Sequence, residues 1–284
     1  MTRLPGVIDR HVHLGLVDHA PLAGGALVEV HDLGWSPAEA ARWRAQPPGD
    51  LVVVRAAGPF HTAPGGYPTG RSWAPADAVR AVADRAAART AVATLAAEGF
   101  DALKLTLHTA MPLLSDDVLG ALVEAAHEAG LPALVHAEGP GQAARAIDAG
   151  ADVLVHAPWT ETLPYDVLER GASMTWISTL AIHDPVGRAI AIDNVRRFRA
   201  AGGTVAYGTD LGNGPAPAGP NPTEIRLLEQ AGLTGADLLR AVLGPLDDPV
   251  PERTLVSPLP RPQNAEELIA WLASATRPTA EETP

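Results

Sequence analysis

The stretch PALVHAEGPGQAARAIDAGADVLVHAP, residues 132–158, reads as strand, helix, strand. Two short aliphatic runs, 132–139 and 152–158, flank an Ala-rich amphipathic segment that stops on Gly150, and each run carries a histidine near its end, His136 and His156. Apolar runs of that length, separated by a helical period with a glycine stop, predict two parallel strands joined by a crossover helix. The unit recurs in both directions. Strand-like runs lie upstream at 6–14, 26–33, 50–58 and 101–108, and downstream at 173–179 and 203–210. Helical patterns fill the gaps at 36–46, 75–99, 115–130, 165–171, 184–203 and 222–232, with Ser36 placed to cap the first.

Eight strands alternating with helices define an α/β chain, and both a doubly wound sheet and a barrel fit that count. A length of 284 residues, with polar residues gathered at the C-terminal ends of the strands, favours a (β/α)8 TIM barrel over residues 1–248. The segment GLVDHAPLAGG, residues 15–25, is too short and too rich in Gly and Pro for a helix, so the first helix is expected to be missing. Residues 249–284 form a Pro-punctuated tail with one short helix, NAEELIAWLASA at 264–275, capped by Asn264, and the last residues, 276–284, read as disordered.

Composition narrows the function classes. Hydrophobic residues make up 46% and charged residues 19%, which describes a globular chain with a sizeable core. A net charge of −12 without any basic cluster argues against a nucleic-acid partner and suits a small-molecule substrate. With no cysteine, disulfides and thiolate metal ligands are excluded. The opening MTRLPGVIDRHVHLG has no long apolar run, so neither a signal peptide nor a membrane association is expected, and the expected location is cytoplasmic. A homo-oligomer is left open.

The chemistry-bearing residues collect on one end of the strands. In HVH of the first strand, His11 and His13 are two residues apart and point to the same side, where they can chelate one metal. In the fourth strand, parity places Ala102, Lys104, Thr106 and His108 on one face and Leu103, Leu105 and Leu107 on the other. Lys104 is the chain's only lysine, against twenty arginines. A primary amine can be neutralised, act as a nucleophile or take up carbon dioxide, and guanidinium does none of these readily. His136, His156 and, after the eighth strand, Asp210 complete the set.

Several segments resemble the amidohydrolase superfamily of metal-dependent hydrolases. PGVIDRHVHLG (5–15) is similar to that family's opening strand, and VEVHDLG (28–34) and RAAGPFHTAPGG (55–66) to its second and third. The later stretches 135–159, 205–213 and 224–244 are also similar, and the likeness is to the branch holding imidazolonepropionase-like and prolidase-like enzymes. The resemblance implies two divalent metal ions bridged by a carbamate on Lys104. His11, His13 and Asp210 would hold the first ion and His136 and His156 the second. Zinc suits such ligands, with Mn, Fe or Co also compatible. Asp210 would be the catalytic base, and the reaction the hydrolysis of an amide, cyclic amide, lactone or ester.

The small β-sandwich usual in that branch is expected to be absent, since only about five residues precede the first strand and nothing after residue 244 reads as sandwich strands. Substrate-binding candidates are His61 and Tyr67 in the Gly/Pro-rich stretch 58–70, which reads as a lid, with His108 and His183 at the ends of strands four and seven. Asp32 is expected to brace the second strand, and His19, His31 and His127 to be structural. Two further readings stand beside the binuclear hydrolase: a mononuclear deaminase or non-hydrolytic lyase of the same superfamily, and a non-catalytic metal-binding barrel. Lys104 counts against the first of these, because such sites work without the lysine bridge.

Overall fold

In the fourth predicted strand, Leu103, Leu105 and Leu107 are fully buried beneath the outer helices. Each contributes roughly 1.5–3 kcal/mol relative to exposure. The alternate residues Lys104 and Thr106 face the barrel axis. The same alternation organises the computed structural model, which describes residues 1–22, 24–46, 52–216, 218–246 and 253–278.

In chain order the first half holds β1 (Thr2–Pro5), β2 (Val7–Val12), β3 (Leu27–Asp32), α1 (Pro37–Arg44), β4 (Val53–Ala56), β5 (Phe60–Thr62), β6 (Val79–Ala81), α2 (Arg85–Ala97), β7 (Leu103–His108) and α3 (Asp116–Glu128). The second half holds β8 (Ala133–Glu138), α4 (Gln142–Asp148), β9 (Val153–Leu154), α5 (Tyr165–Arg170), β10 (Thr175–Ile177), α6 (Pro185–Ala200), β11 (Thr204–Ala206), α7 (Pro222–Gln230), α8 (Gly235–Leu243), β12 (Thr254–Ser257) and α9 (Ala265–Ser274).

Strands β2-β3-β4 form one parallel sheet and β11-β10-β9-β8-β7-β5-β6 another. Main-chain bonds at two seams close them into the expected (β/α)8 barrel. At one seam Val12 bridges Leu211 in parallel, with the His13 N–H donating to the Leu211 carbonyl at 2.8 Å. At the other, the Asp101 N–H donates to the Ala56 carbonyl at 2.9 Å and the Asp101 carboxylate accepts from the Ala56 N–H at 2.8 Å. Between β2 and β3 the described residues form only two 3-10 turns, at Leu14–Leu16 and Ala20–Leu22, so the first barrel helix is missing. No described helix is long and apolar enough to cross a membrane.

Three expectations are corrected. The helical pattern at 75–99 starts late: Val79–Ala81 pairs with β5, and the helix begins at Arg85, where the Asp84 carboxylate accepts from the Ala87 N–H at 2.8 Å. Ser36 stands at the start of α1 without capping it, because its hydroxyl donates instead to Asp77 Oδ2 at 2.6 Å. The tail carries a strand as well as its helix. β12 pairs antiparallel with β1, from Thr2↔Ser257 to Pro5↔Thr254, so the described ends make a two-stranded ribbon rather than a sandwich. Helix α9 is capped as expected, Asn264 Oδ1 accepting from the Glu267 N–H at 2.9 Å, and its Trp271 is fully buried. Thr276, within the stretch read as disordered, bridges Val256, while residues 279–284 lie outside the described residues.

Candidate metal centre

The barrel's upper end encloses a cavity of 140 Å³ into which His11, His13, Lys104, His136, His156 and Asp210 all project. Five strands or their C-terminal extensions supply them. Asp210 sits at the centre, with Oδ1 3.3 Å from His11 Nε2 and 3.3 Å from His13 Nε2. The ring centroids of His11 and His156 are 4.6 Å apart, and those of His136 and His156 4.9 Å. Ligand atoms of His11, His156 and Asp210 fall within 4.8 Å of one another.

Three of the imidazoles, those of His11, His13 and His156, are aimed through Nδ1, while His136 is held through Nε2 by Glu138 at 3.1 Å. His11 Nδ1 lies 2.8 Å from the Val155 carbonyl and His13 Nδ1 3.2 Å from the Gly34 carbonyl. A carbonyl can only accept, so in the neutral ring Nδ1 carries the proton and Nε2 offers its lone pair to the cavity. His156 Nδ1 meets the Thr179 hydroxyl at 2.8 Å. Thr179 has a left-handed φ of 41°, and Glu224 on α7 holds that turn by accepting from the Leu180 and Ala181 N–H groups at 2.9 and 2.7 Å. Beneath His11, the Asp9 carboxylate accepts from the His11 N–H, the Thr209 N–H and the Thr209 hydroxyl, tying β2 to the chain after β11. Burial pushes both Asp9 and Glu224 up to about 7, against the pull of those hydrogen bonds. Gly208 is required here, since a Cβ would lie 2.3 Å from Ile177 Cγ2 and 3.1 Å from His11 Cβ.

The electrostatics suit a cation. Burial drives His11, His136 and His156 below the usual histidine value, leaving them neutral donors. Burial alone would raise Asp210, but the facing histidines outweigh it and hold the carboxylate well below its ordinary value. Burial brings the Lys104 amine down from 10.5 to about 7, with Asp210 and Asp32 pulling the other way. His11 Nε2 and Asp210 Oδ1 are buried without a hydrogen-bond partner. Two orphaned donor atoms facing each other across neutral imidazoles are what a divalent ion would satisfy, so the residues fit a metal centre.

Of the substrate-binding candidates, Tyr67 and His183 line the cavity, Tyr67 stacked on His136 at 5.2 Å and His183 on Trp159 at 4.5 Å. His108 stands beside them, its ring 5.1 Å from Tyr67 and its Nε2 3.5 Å from Glu138 Oε1. The structure does not bring His61 into the cavity. It lies within β5, buried, with Nδ1 3.3 Å from the Lys104 carbonyl, because strand pairing rather than a lid takes up residues 60–62. Asp32 braces the turn after β2, accepting from the Leu14 and Gly34 N–H groups at 2.8 and 3.3 Å.

Sequence reasoning missed five cavity residues, Phe60, Trp73, Glu138, Ile182 and Asn213. Glu138, 3.1 Å from His136 Nε2, follows it by two positions on β8, so strand parity alone could have found it. Asn213 donates to Asp210 Oδ2 at 2.9 Å, and Trp73 lies 6.2 Å from His13, and neither carries a local signal.

The amidohydrolase family model Amidohydro_3 matches residues 23–223. No curated protein matches the sequence. Among solved structures, a Xaa-Pro dipeptidase with bound methionine superposes with a TM-score of 0.70 at 21% identity, covering 96% of this chain and 84% of its own. A putative prolidase from Bifidobacterium longum gives 0.67 at 22% identity, covering 84% of this chain and 67% of its own. Molinate hydrolase gives 0.70 at 17% identity, with 96% and 81% covered. At these identities the three establish a shared fold.

Proposed function

This chain belongs to the amidohydrolase family of metal-dependent hydrolases, and we propose that it cleaves an amide, cyclic amide, lactone or ester bond of a small molecule at a two-ion centre. His11, His13, Lys104, His136, His156 and Asp210 would hold the ions, of which zinc is the default for such donors. The observation that carries the reading is the convergence of all six on one 140 Å³ cavity, with His11 Nε2 and Asp210 Oδ1 unpaired there. Bound ions would supply Lewis-acid polarisation of the scissile carbonyl and a lowered pKa for water.

The chain's own groups have separate tasks. Lys104, with its amine at about 7, holds an appreciable neutral fraction at physiological pH. That form would take up carbon dioxide through a new N–C bond with release of a proton, and the resulting anionic carbamate would help hold the ions. Asp210 takes a proton from the attacking water and passes it to the leaving nitrogen or oxygen. Asn213 fixes Asp210 Oδ2 and so keeps Oδ1 turned to the cavity. Phe60, Tyr67, Trp73 and Trp159 wall the space with aromatic surface, which limits the reacting end of the substrate to a small, flat or apolar group.

The tight trio of His11, His156 and Asp210 favours a second reading, a one-ion centre. Elemental analysis of protein purified without chelator or affinity histidines separates them. Two divalent ions per chain, with turnover in a screen of lactams, lactones and dipeptides, is the expected result. One ion would select the mononuclear reading, and none, even after zinc and bicarbonate, would overturn both.

A prediction tests the aiming of His156. Thr179→Ala should weaken metal binding by about 10–100-fold, the usual effect of removing a group that orients a ligand. Thr179→Ser, which keeps the hydroxyl, should bind nearly as the parent protein does in a competitive chelator titration. Equal affinities for the two variants would show that the Thr179 hydroxyl does not orient His156.

A further inference from the structure

The opposite end of the barrel, where the strands begin, holds a larger cavity of 420 Å³. Leu33, Ala57, Ala102, Leu134 and Ile177 form its inner wall. Ala102, just before β7, and Leu134, on β8, stand two residues before Lys104 and His136, so this wall is the layer beneath the metal centre. Barrel interiors are ordinarily filled by bulky branched side chains. Alanines at two of these five positions leave the void. Its volume lies within the range of about 300–1,000 Å³ typical of small-molecule pockets.

Arginines gather at this end of an acidic chain. Arg10, Arg55 and Asp101 line the cavity, and an adjoining groove of 640 Å³ starts from the same Arg10 and adds Arg199, Arg240 and Asp237. Four arginines thus face two aspartates on a chain of net charge −12. Arg55 pairs with Asp101 and, at 3.7 Å, with Glu29, and Arg199 and Arg240 share Asp237. Arg10 has no carboxylate within 4.0 Å among the described residues, and Glu29 and Asp9 act on it from further away. Its Nη1 donates to the carbonyls of Ala241 at 3.1 Å and Ile8 at 3.4 Å, while its Nε and Nη2 make no hydrogen bond with described residues. A half-buried guanidinium with a free pair of N–H groups, beside an apolar wall, matches a carboxylate carrying an apolar body. A multiply charged, strongly hydrated phosphate would lose too much solvation against that wall.

We propose that the lower cavity is a second ligand site, which binds an organic carboxylate with its charge on Arg10 and its apolar body against Ala57 and Ala102. The site is separate from the metal centre and does not depend on the reaction assigned there.

Calorimetric titration with phenylacetate and with hexanoate tests this, on the protein as purified and again after chelation. Saturable binding of one molecule per chain, unchanged by chelation, is expected. Arg10→Met should weaken it by about tenfold or more, as loss of a charge-assisted pair requires. Ala102→Leu should abolish it by filling the void, with the far-ultraviolet circular dichroism unaltered, and this variant carries the test if the Arg10 variant does not fold. Benzyl alcohol, which lacks the charge, should bind more weakly than phenylacetate. Absence of saturation by either carboxylate up to about 10 mM, near the weak limit of a specific site, would overturn the proposal. So would binding that vanishes on chelation, survives in Ala102→Leu, or is matched by inorganic phosphate.

Discussion

Asp210→Asn is expected to lower kcat/KM by about 10³-fold, the contribution of a positioned general base, on any amide or ester that the parent protein hydrolyses. The exchange is nearly isosteric and leaves the backbone undisturbed. Asp210 has a left-handed φ of 53°, and asparagine accepts that conformation as readily as aspartate. Two things are removed together: the negative charge 3.3 Å from both His11 Nε2 and His13 Nε2, and the ability of the group to take a proton. Metal content should fall as well, since two imidazoles and an amide are a poorer set for a divalent ion than two imidazoles and a carboxylate. Steady-state kinetics and elemental analysis on the same preparation measure both. Activity within tenfold of the parent protein would remove Asp210 from the role of base.

Lys104→Met is expected to abolish hydrolysis and reduce the metal content below two ions per chain, while making the metal-free protein more stable at low pH. Methionine fills the same apolar volume but can form no carbamate. A mononuclear centre would lose little activity, so the kinetic result also separates the two readings. The stability effect follows from the buried amine, which titrates at about 7 when folded against an ordinary 10.5. Between those values the unfolded chain binds a proton that the folded chain does not, so the stability of the parent protein rises with pH across this window. Below pH 7 the amine is charged in both states and its burial costs up to about 5 kcal/mol. The variant has no such group. Its advantage in urea unfolding of chelated protein should therefore be greatest near pH 6 and disappear toward pH 10. A constant difference across that range would show that the Lys104 amine titrates normally in the fold.

Much of this molecule could be read from local pattern. The eight barrel strands appear where aliphatic runs of strand length lie between helical periods, because period-2 alternation and glycine stops act over a few residues and need no distant partner. Parity within one strand was enough to send Leu103, Leu105 and Leu107 outward and Lys104 inward. The same reasoning applied to His136 would have found Glu138, two positions on. His61 shows the limit. Its surroundings of glycine and proline suggested a lid, yet residues 60–62 pair with β6 and β7, and the ring is enclosed by neighbours that no nearby residue names.

The succession of strands, the inward side of the first and fourth, and the six candidate donor residues were properties of the chain alone, since each depends on the character and spacing of near neighbours. Which of those donors meet, and how they are aimed, was decided only by closure of the barrel. Thr179 reaches His156, Asp9 reaches Thr209 and Gly208 passes His11 across seams between elements far apart in the chain. The ribbon of β1 with β12 and the alanine-walled cavity at the lower end belong to the same class. A strand of four residues is stable only once its partner arrives, and a void exists only where several small side chains from different strands meet.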